Sequence, residues 1–163
     1  MSKNKRRLNY SFTAAFAGFI FGFDTIVISG VDQKLQDLWQ STDLFHGLVV
    51  IGMALWGTVI GAIFGGLPTN YFGRKKTLLW IGYLYSISEV GSAISSDPIT
   101  FAFFRFIGGV GIGISTIAAP AYISEISAPN ERGKLVGYYQ LNIVVGILLS
   151  LIHISEPTRP PEI

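Results

Sequence analysis

The chain has 163 residues, a formal net charge of +2 and no cysteine. Hydrophobic residues make up 50% of it and charged residues 13%, against roughly 25% charged in an ordinary soluble domain. That composition argues against a soluble core protein, a disulfide scaffold and a thiolate metal centre, and the small positive charge is too bunched to read as a nucleic-acid surface.

Five apolar blocks follow one another, at about Tyr10–Gly30, Leu44–Leu67, Thr77–Ser95, Ile99–Ser124 and Leu135–Ile152. Each is near the ~20 residues a helix needs to cross a bilayer, and no alternating strand pattern competes with that reading. "KNKRR" precedes the first block, as in a secretory signal. The block is too long for one, however, lacks a small-residue cleavage site and is followed by four more spans, so it reads as a retained first helix. The second block carries Gly57, Gly61 and Gly65 at every fourth residue, and the fourth carries Gly109 and Gly113. Such stripes let helices approach closely.

The basic residues set an orientation. With the N-terminus inside, Lys3, Lys5, Arg6, Arg7, Arg74, Lys75, Lys76, Arg132 and Lys134 face the cytoplasm. Only Lys34 falls in an outer loop, where Asp32, Asp37, Asp43 and Asp97 also lie. This is the positive-inside pattern, and "GRKK" by itself reads as a solvated anchoring loop.

Two charges fall within the apolar blocks at matching depth. The first helix is expected to end near Gly30, which puts Asp24 roughly 9 Å below the outer face. Arg105 sits at the same depth in the fourth block, which begins at about Ile99. An ionisable residue inside a membrane span is a functional hypothesis by default. One reading is a static ion pair that ties the two helices together. The other is a protonatable acid coupled to its neighbours.

Four stretches then amount to a family resemblance: "FGFDTIVISG", "GGLPTNYFGRKKTL", "RFIGGVGIG" with "PAYISEISAPNERG", and "YYQLNIVVGIL". In that order and spacing the chain resembles the N-terminal part of a sugar porter of the major facilitator superfamily. The resemblance covers nearly everything before Leu149. It implies an all-α membrane protein with the major facilitator fold, truncated to about five transmembrane helices of the N-terminal six-helix half.

The resemblance also assigns roles. Asp24 matches the acid that binds the driving proton in proton-coupled members, and Arg105 matches the arginine paired with it. Gln140 matches a glutamine that hydrogen-bonds sugar hydroxyls, for which an amide is suited because it both donates and accepts. Phe21 matches an aromatic flanking the sugar. Asn70, Gly73, Arg74, Glu125 and Arg132 match the cytoplasmic gate, where a charge cluster holds the two halves of the carrier together in one state. For Gln140 the plainer reading is an interhelical hydrogen bond; for Glu125 and Arg132 it is a solvated loop.

Three departures from the family pattern stand out. Asn70 and Tyr71 replace an acid and a base, so position 70 supplies no charge to a gating contact, although Asn70 is still able to cap a helix. Glu89 stands in the third block, where a small or apolar residue is expected; it is expected to reach toward the interface or to compete with Asp24 for Arg105. Finally, "LSLIHISEPTR" is what one frame of a reverse-complemented transposon sequencing adaptor encodes, so residues 149–163 read as a non-native tail behind a partial transmembrane half at 1–148. His153, Glu156 and Arg159 then carry no functional argument.

The resulting expectation is a carrier of a monosaccharide across the inner (plasma) membrane by proton symport and alternating access. The N-terminus is cytoplasmic, and the partners are the sugar, the proton and the lipid bilayer. No nucleic acid, cofactor, metal or enzymatic activity is expected. A five-span piece is not expected to transport by itself. The alternatives are an uncoupled facilitator, which typically lacks the acid at position 24, and a non-transporting sugar sensor. The short N-terminal tail of about nine residues argues against the sensor.

Overall fold

The computed structural model describes residues 3–155, with side chains from Tyr10 to Ile152. The last part of the expected foreign tail, 156–163, lies outside the described residues, as do the side chains of Lys3, Lys5, Arg6, Arg7 and His153. The elements are α1 (Lys3–Trp39), α2 (Asp43–Phe45), a π-helical turn (His46–Ile51), α3 (Gly52–Phe64), α4 (Gly66–Tyr71), α5 (Arg74–Ile94), α6 (Pro98–Ile126) and α7 (Arg132–Ser155). No strand occurs among the described residues.

Among the described residues, four helical stretches are long and apolar enough to cross a membrane: Tyr10–Trp39, Asp43–Phe64, Pro98–Ile126 and Arg132–Ile152. The third expected span forms as α5, at 21 residues. It is less apolar because Arg74, Lys75 and Lys76 open it and Glu89 interrupts it.

The breaks between helices have local causes. α3 stops at Phe64, four residues before Pro68. A proline ring cannot accept the carbonyl of residue i−4 and brings no N–H to it. The turn before α5 is made by Gly73 at φ 83° and ψ 150°, a conformation open essentially to glycine alone. Thr77 then ties the turn down, its hydroxyl donating to the carbonyls of Pro68 (3.1 Å) and Gly73 (3.0 Å). No side chain caps α5; Asn70 is exposed inside α4, so the capping role expected as an option for it is not used. Asp97 caps α6, accepting from the Thr100 backbone N–H at 2.8 Å, with Pro98 at the first helical position, where its missing N–H costs nothing.

The expected end of the first helix near Gly30 is corrected. α1 runs on to Trp39, and at 1.5 Å per residue its 37 residues span roughly 55 Å, well beyond a ~30 Å hydrocarbon core. Nothing after Gly30 stops it, and Val31, Leu35 and Leu38 continue a helical spacing. It closes instead at Gln40, whose φ of 46° is the left-handed conformation of a helix C-terminus. Ser41 N–H donates to Gln36 O and Gln40 N–H to Asp37 O, both at 3.3 Å, the paired bonds of a Schellman motif. The extension is held by Trp39, whose indole N–H donates to Ser96 O at 3.3 Å and whose ring lies 5.4 Å from that of Phe101.

α6 is the hub of the bundle, touching α1, α3, α5 and α7. Over half of its apolar stretch is buried (56%), against 22% for each of the other three. The α3–α6 crossing is made by the predicted glycines. A methyl on Gly57 or Gly61 would fall on the carbonyls of Phe106 or Val110, and one on Gly109 or Gly113 on those of Ala54 or Thr58. α1 crosses α7 in the same way: methyls on Gly18 and Gly22 would strike the carbonyls of Tyr139 and Ile143, and one on Gly146 that of Phe19. Large apolar side chains such as Trp56, Trp80 and Leu148 face outward, as they do on a bundle that lipid or further helices surround.

Candidate functional site

Asp24 on α1 and Arg105 on α6 meet inside the bundle. Arg105 Nη1–H donates to Asp24 Oδ1 at 2.7 Å and Nη2–H to Oδ2 at 3.1 Å. The side chains are only 11% and 7% exposed respectively, so this is a bidentate pair hidden from solvent, the strong geometry for a guanidinium and a carboxylate. Desolvating both charges offsets much of their attraction, yet removing either partner would leave the other buried and uncompensated. The pair therefore couples two helices through a contact that protonation of the acid would weaken.

Glu89 on α5 adjoins the pair. Its Oε1 is 3.6 Å from Arg105 Nη1, within ion-pair range but long for a hydrogen bond, and its side chain is half exposed. Its carboxyl also faces that of Asp24. Of the two possibilities for Glu89, reaching the interface or approaching Arg105, the structure places it beside Arg105. Tyr85 on α5 and Tyr139 on α7 are buried, and among the described residues neither hydroxyl finds a hydrogen bond of good geometry. Both approach Ser115 on α6, whose own hydroxyl donates to Ile112 O at 2.8 Å.

Phe21, one turn before Asp24, is half-buried against the cluster of Ile81, Tyr85, Ile112 and Ala118. Gln140 is exposed on α7 beside the buried Tyr139. At the other end of the bundle, Arg74 at the start of α5 contacts Glu125 near the end of α6, Nε to Oε1 2.8 Å, an ionic contact without the angle of a hydrogen bond. Gly73 makes the turn that aims Arg74. Asn70 and Arg132 are exposed nearby in sequence on α4 and at the start of α7, and among the described residues Arg132 makes no ion pair.

The sequence reading did not single out His46. It is almost fully buried, with Nε2 2.8 Å from Asp32 Oδ1 and Nδ1 3.0 Å from Ser41 Oγ. Gln36 Nε2–H donates to Asp43 Oδ1 at 2.6 Å beside it. Together these bonds lock the extension of α1 to the π-helical turn. A polar, helix-forming sequence continues past Gly30, but nothing in it pairs His46 with Asp32; only the fold does. Nearby, at the head of α6, Asp97 keeps its carboxyl below the usual range, because the Thr100 backbone N–H and then the Thr100 hydroxyl donate to it. No group of three histidine or acidic side chains converges to hold a metal among the described residues.

Antiparallel apolar helices that hide an acid and an arginine against each other define a multi-pass helical membrane protein. Residues 10–154 match the family model for "Sugar (and other) transporter", and the chain belongs to that family. It is 41% identical over 139 residues to the "Glucose transport protein" of Synechocystis sp., covering 85% of this chain and 30% of that protein. It is 35% identical over 152 residues to the "Arabinose-proton symporter" of Escherichia coli, covering 92% and 32%. Its fold matches the major facilitator proton:xylose symporter XylE bound to 6-bromo-6-deoxy-D-glucose with a TM-score of 0.84 and 29% identity, covering 93% of this chain and 37% of that one. An inward-open structure of the xylose transporter XylE from E. coli matches with a TM-score of 0.78 and 33% identity, covering 88% and 38%. The chain thus spans about a third of the length of the relatives it matches.

Proposed function

We propose that this chain is the N-terminal portion of a carrier that moves a monosaccharide across the plasma membrane by proton symport. The observation that carries this reading is the buried bidentate pair between Asp24 and Arg105; the symporters among the chain's relatives support it. Asp24 takes the driving proton. Once neutral it holds Arg105 less tightly, and the contact between α1 and α6 loosens. That change couples proton binding to the rocking of one half of the carrier against the other, around a site near the bilayer midplane.

Phe21 and Gln140 belong to the sugar site, the ring covering the apolar face of the sugar and the amide bonding its hydroxyls. Arg74 and Glu125, with Asn70, Gly73 and Arg132, belong to the cytoplasmic gate, and the N-terminus is cytoplasmic. This is transport, with no bond made or broken in the sugar. Residues 149–163 are proposed to be a foreign tail on a partial transmembrane half at 1–148. A long read of the source locus across the codon for Gly146 tests this; a natural reading frame that encodes the same tail would overturn it. The five-helix piece, lacking the opposite half, is expected to show no uptake in proteoliposomes.

The decisive test is Asp24→Asn in the complete carrier. Uphill accumulation of labelled sugar should fall to the level of equilibration, while sugar exchange down a gradient continues. Accumulation that persists against a gradient would remove Asp24 from the mechanism. Sugar binding without any flux in the unaltered carrier would favour the sensor instead.

A further inference from the structure

Arg105 has two carboxylates within ion-pair range, and the proton-coupling reading uses only one. Asp24 holds the guanidinium with two hydrogen bonds, while Glu89 stands 3.6 Å from Nη1 on a third helix. The two acids differ in access: Asp24 is buried, whereas about half of the Glu89 side chain is open. A glutamate in an otherwise apolar stretch of α5 is costly unless it answers a charge, and Arg105 is that charge.

Net charge shows what a second carboxylate changes. With Glu89 ionised, the triad of Asp24, Arg105 and Glu89 carries a net charge of −1 when Asp24 is ionised and is neutral when Asp24 carries a proton. Without Glu89, the same two states would be neutral and +1. A cluster that a closing carrier sequesters is cheapest to bury when neutral. We propose that Glu89 is a positioning residue of the proton site: it retains Arg105 when Asp24 is protonated and makes the proton-loaded state the neutral one. This rests on the proton-symport reading above and extends it to a residue on α5.

The proton comes from the aqueous side and resides on Asp24. Arg105 keeps its charge throughout and only shifts its closer contact from Asp24 toward Glu89. The other groups facing Asp24 are Tyr85 on α5, Arg105 on α6 and, behind Tyr85, Tyr139 on α7. Both tyrosines are uncharged at working pH, so the charge balance rests on the triad.

The test is Glu89→Gln in the complete carrier, with the pH dependence of proton-driven uptake as the readout. Removing a negative charge beside Asp24 weakens proton binding. The pH of half-maximal uptake should move toward acid by about one unit, a tenfold loss of proton affinity, while sugar exchange at acid pH is retained. Glu89→Asp, which keeps the charge on a shorter stem, should restore most of the shift. If Glu89→Gln abolishes exchange, the infrared band of the protonated carboxyl is titrated in the purified carrier, and its midpoint should show the same displacement. An unmoved midpoint in both measurements overturns the assignment of Glu89 alone. Uphill accumulation that survives Asp24→Asn overturns the proton-coupling reading itself, so the two failures are distinguishable.

Discussion

Helices α1 and α6 each contribute one charge to the buried pair, and each crosses a neighbour through glycines, yet their surroundings differ. α6 is enclosed by α1, α3, α5 and α7. α1 packs on α7 and α6 but leaves a flank of aromatic and aliphatic side chains uncovered, with Phe16 54% and Ile20 41% exposed. Part of that flank lines a cavity of about 320 Å³ shared with Leu78, Leu79 and Tyr85 of α5. The arginine is thus fixed on the helix that cannot move without disturbing four others. The aspartate rides on a helix with one free side, and loosening the pair should displace α1 more readily than α6.

The sharpest way to break this comparison is to overfill the two crossings. A methyl at Gly113 would meet the Thr58 carbonyl and the Ala62 nitrogen, and one at Gly22 the Ile143 carbonyl, all backbone atoms that cannot swing aside. Overpacking typically costs about 1–3 kcal/mol. Gly113→Ala should lose about 3 kcal/mol, at the upper end of that range, whereas Gly22→Ala should lose about 1 kcal/mol, at the lower end, because α1 can yield toward its open flank. Gly82→Ala, with open space around it in α5, should be neutral or gain about 0.5–1 kcal/mol as a control. Unfolding by SDS titration in micelles reads all three, and equal losses at positions 113 and 22 would refute the contrast.

The same contrast explains which features could be read from the chain beforehand. Asp24 and Arg105 stood out because a charge inside an apolar block has few acceptable surroundings, and the regular glycines of α3 and α6 announced their crossing. The glycines of α1 were harder to recognise: Gly18 and Gly22 share a face, but Tyr139 and Ile143, which they meet, lie far along the chain, and only the folded bundle brings them together. Gly30 was misleading as an end point, because one glycine costs a helix only about 1 kcal/mol and the contacts of Trp39, His46 and Gln36 outweigh it. His46 was invisible for a related reason: a lone histidine reveals a role only when its acceptor, Asp32, is known to lie opposite. Asn70 offered a cap, but the turn took its geometry from Gly73 and its clamp from Thr77.

Gly73 provides a test of intermediate size that acts on one side of the comparison. Its φ of 83° is open to glycine, and no neighbouring atom would touch an added methyl, so Gly73→Ala carries a pure backbone penalty of about 1–3 kcal/mol. That penalty falls on the turn that sets α5 against α6 and spares the α1–α7 crossing. Amide hydrogen exchange should therefore speed up in α5 and at the start of its turn while protection in α7 is unchanged. Equal loss in both helices would mean that the bundle opens as one unit.

The smallest expected effect is at the head of α6. Asp97 is fully exposed and accepts from both the backbone and the hydroxyl of Thr100, so Asp97→Ala should lower stability only slightly at neutral pH. The sign with pH follows from the lowered carboxyl. A group that ionises more readily in the folded state stabilises it at pH values above its unfolded value of about 3.9. That contribution disappears as the pH falls through the still lower folded value. The stability gap between the unaltered chain and Asp97→Ala should stay constant from neutral pH down to about pH 5 and then narrow with further acid. A gap that persists at the lowest pH would mean that the side chain holds α6 by packing rather than by its charge.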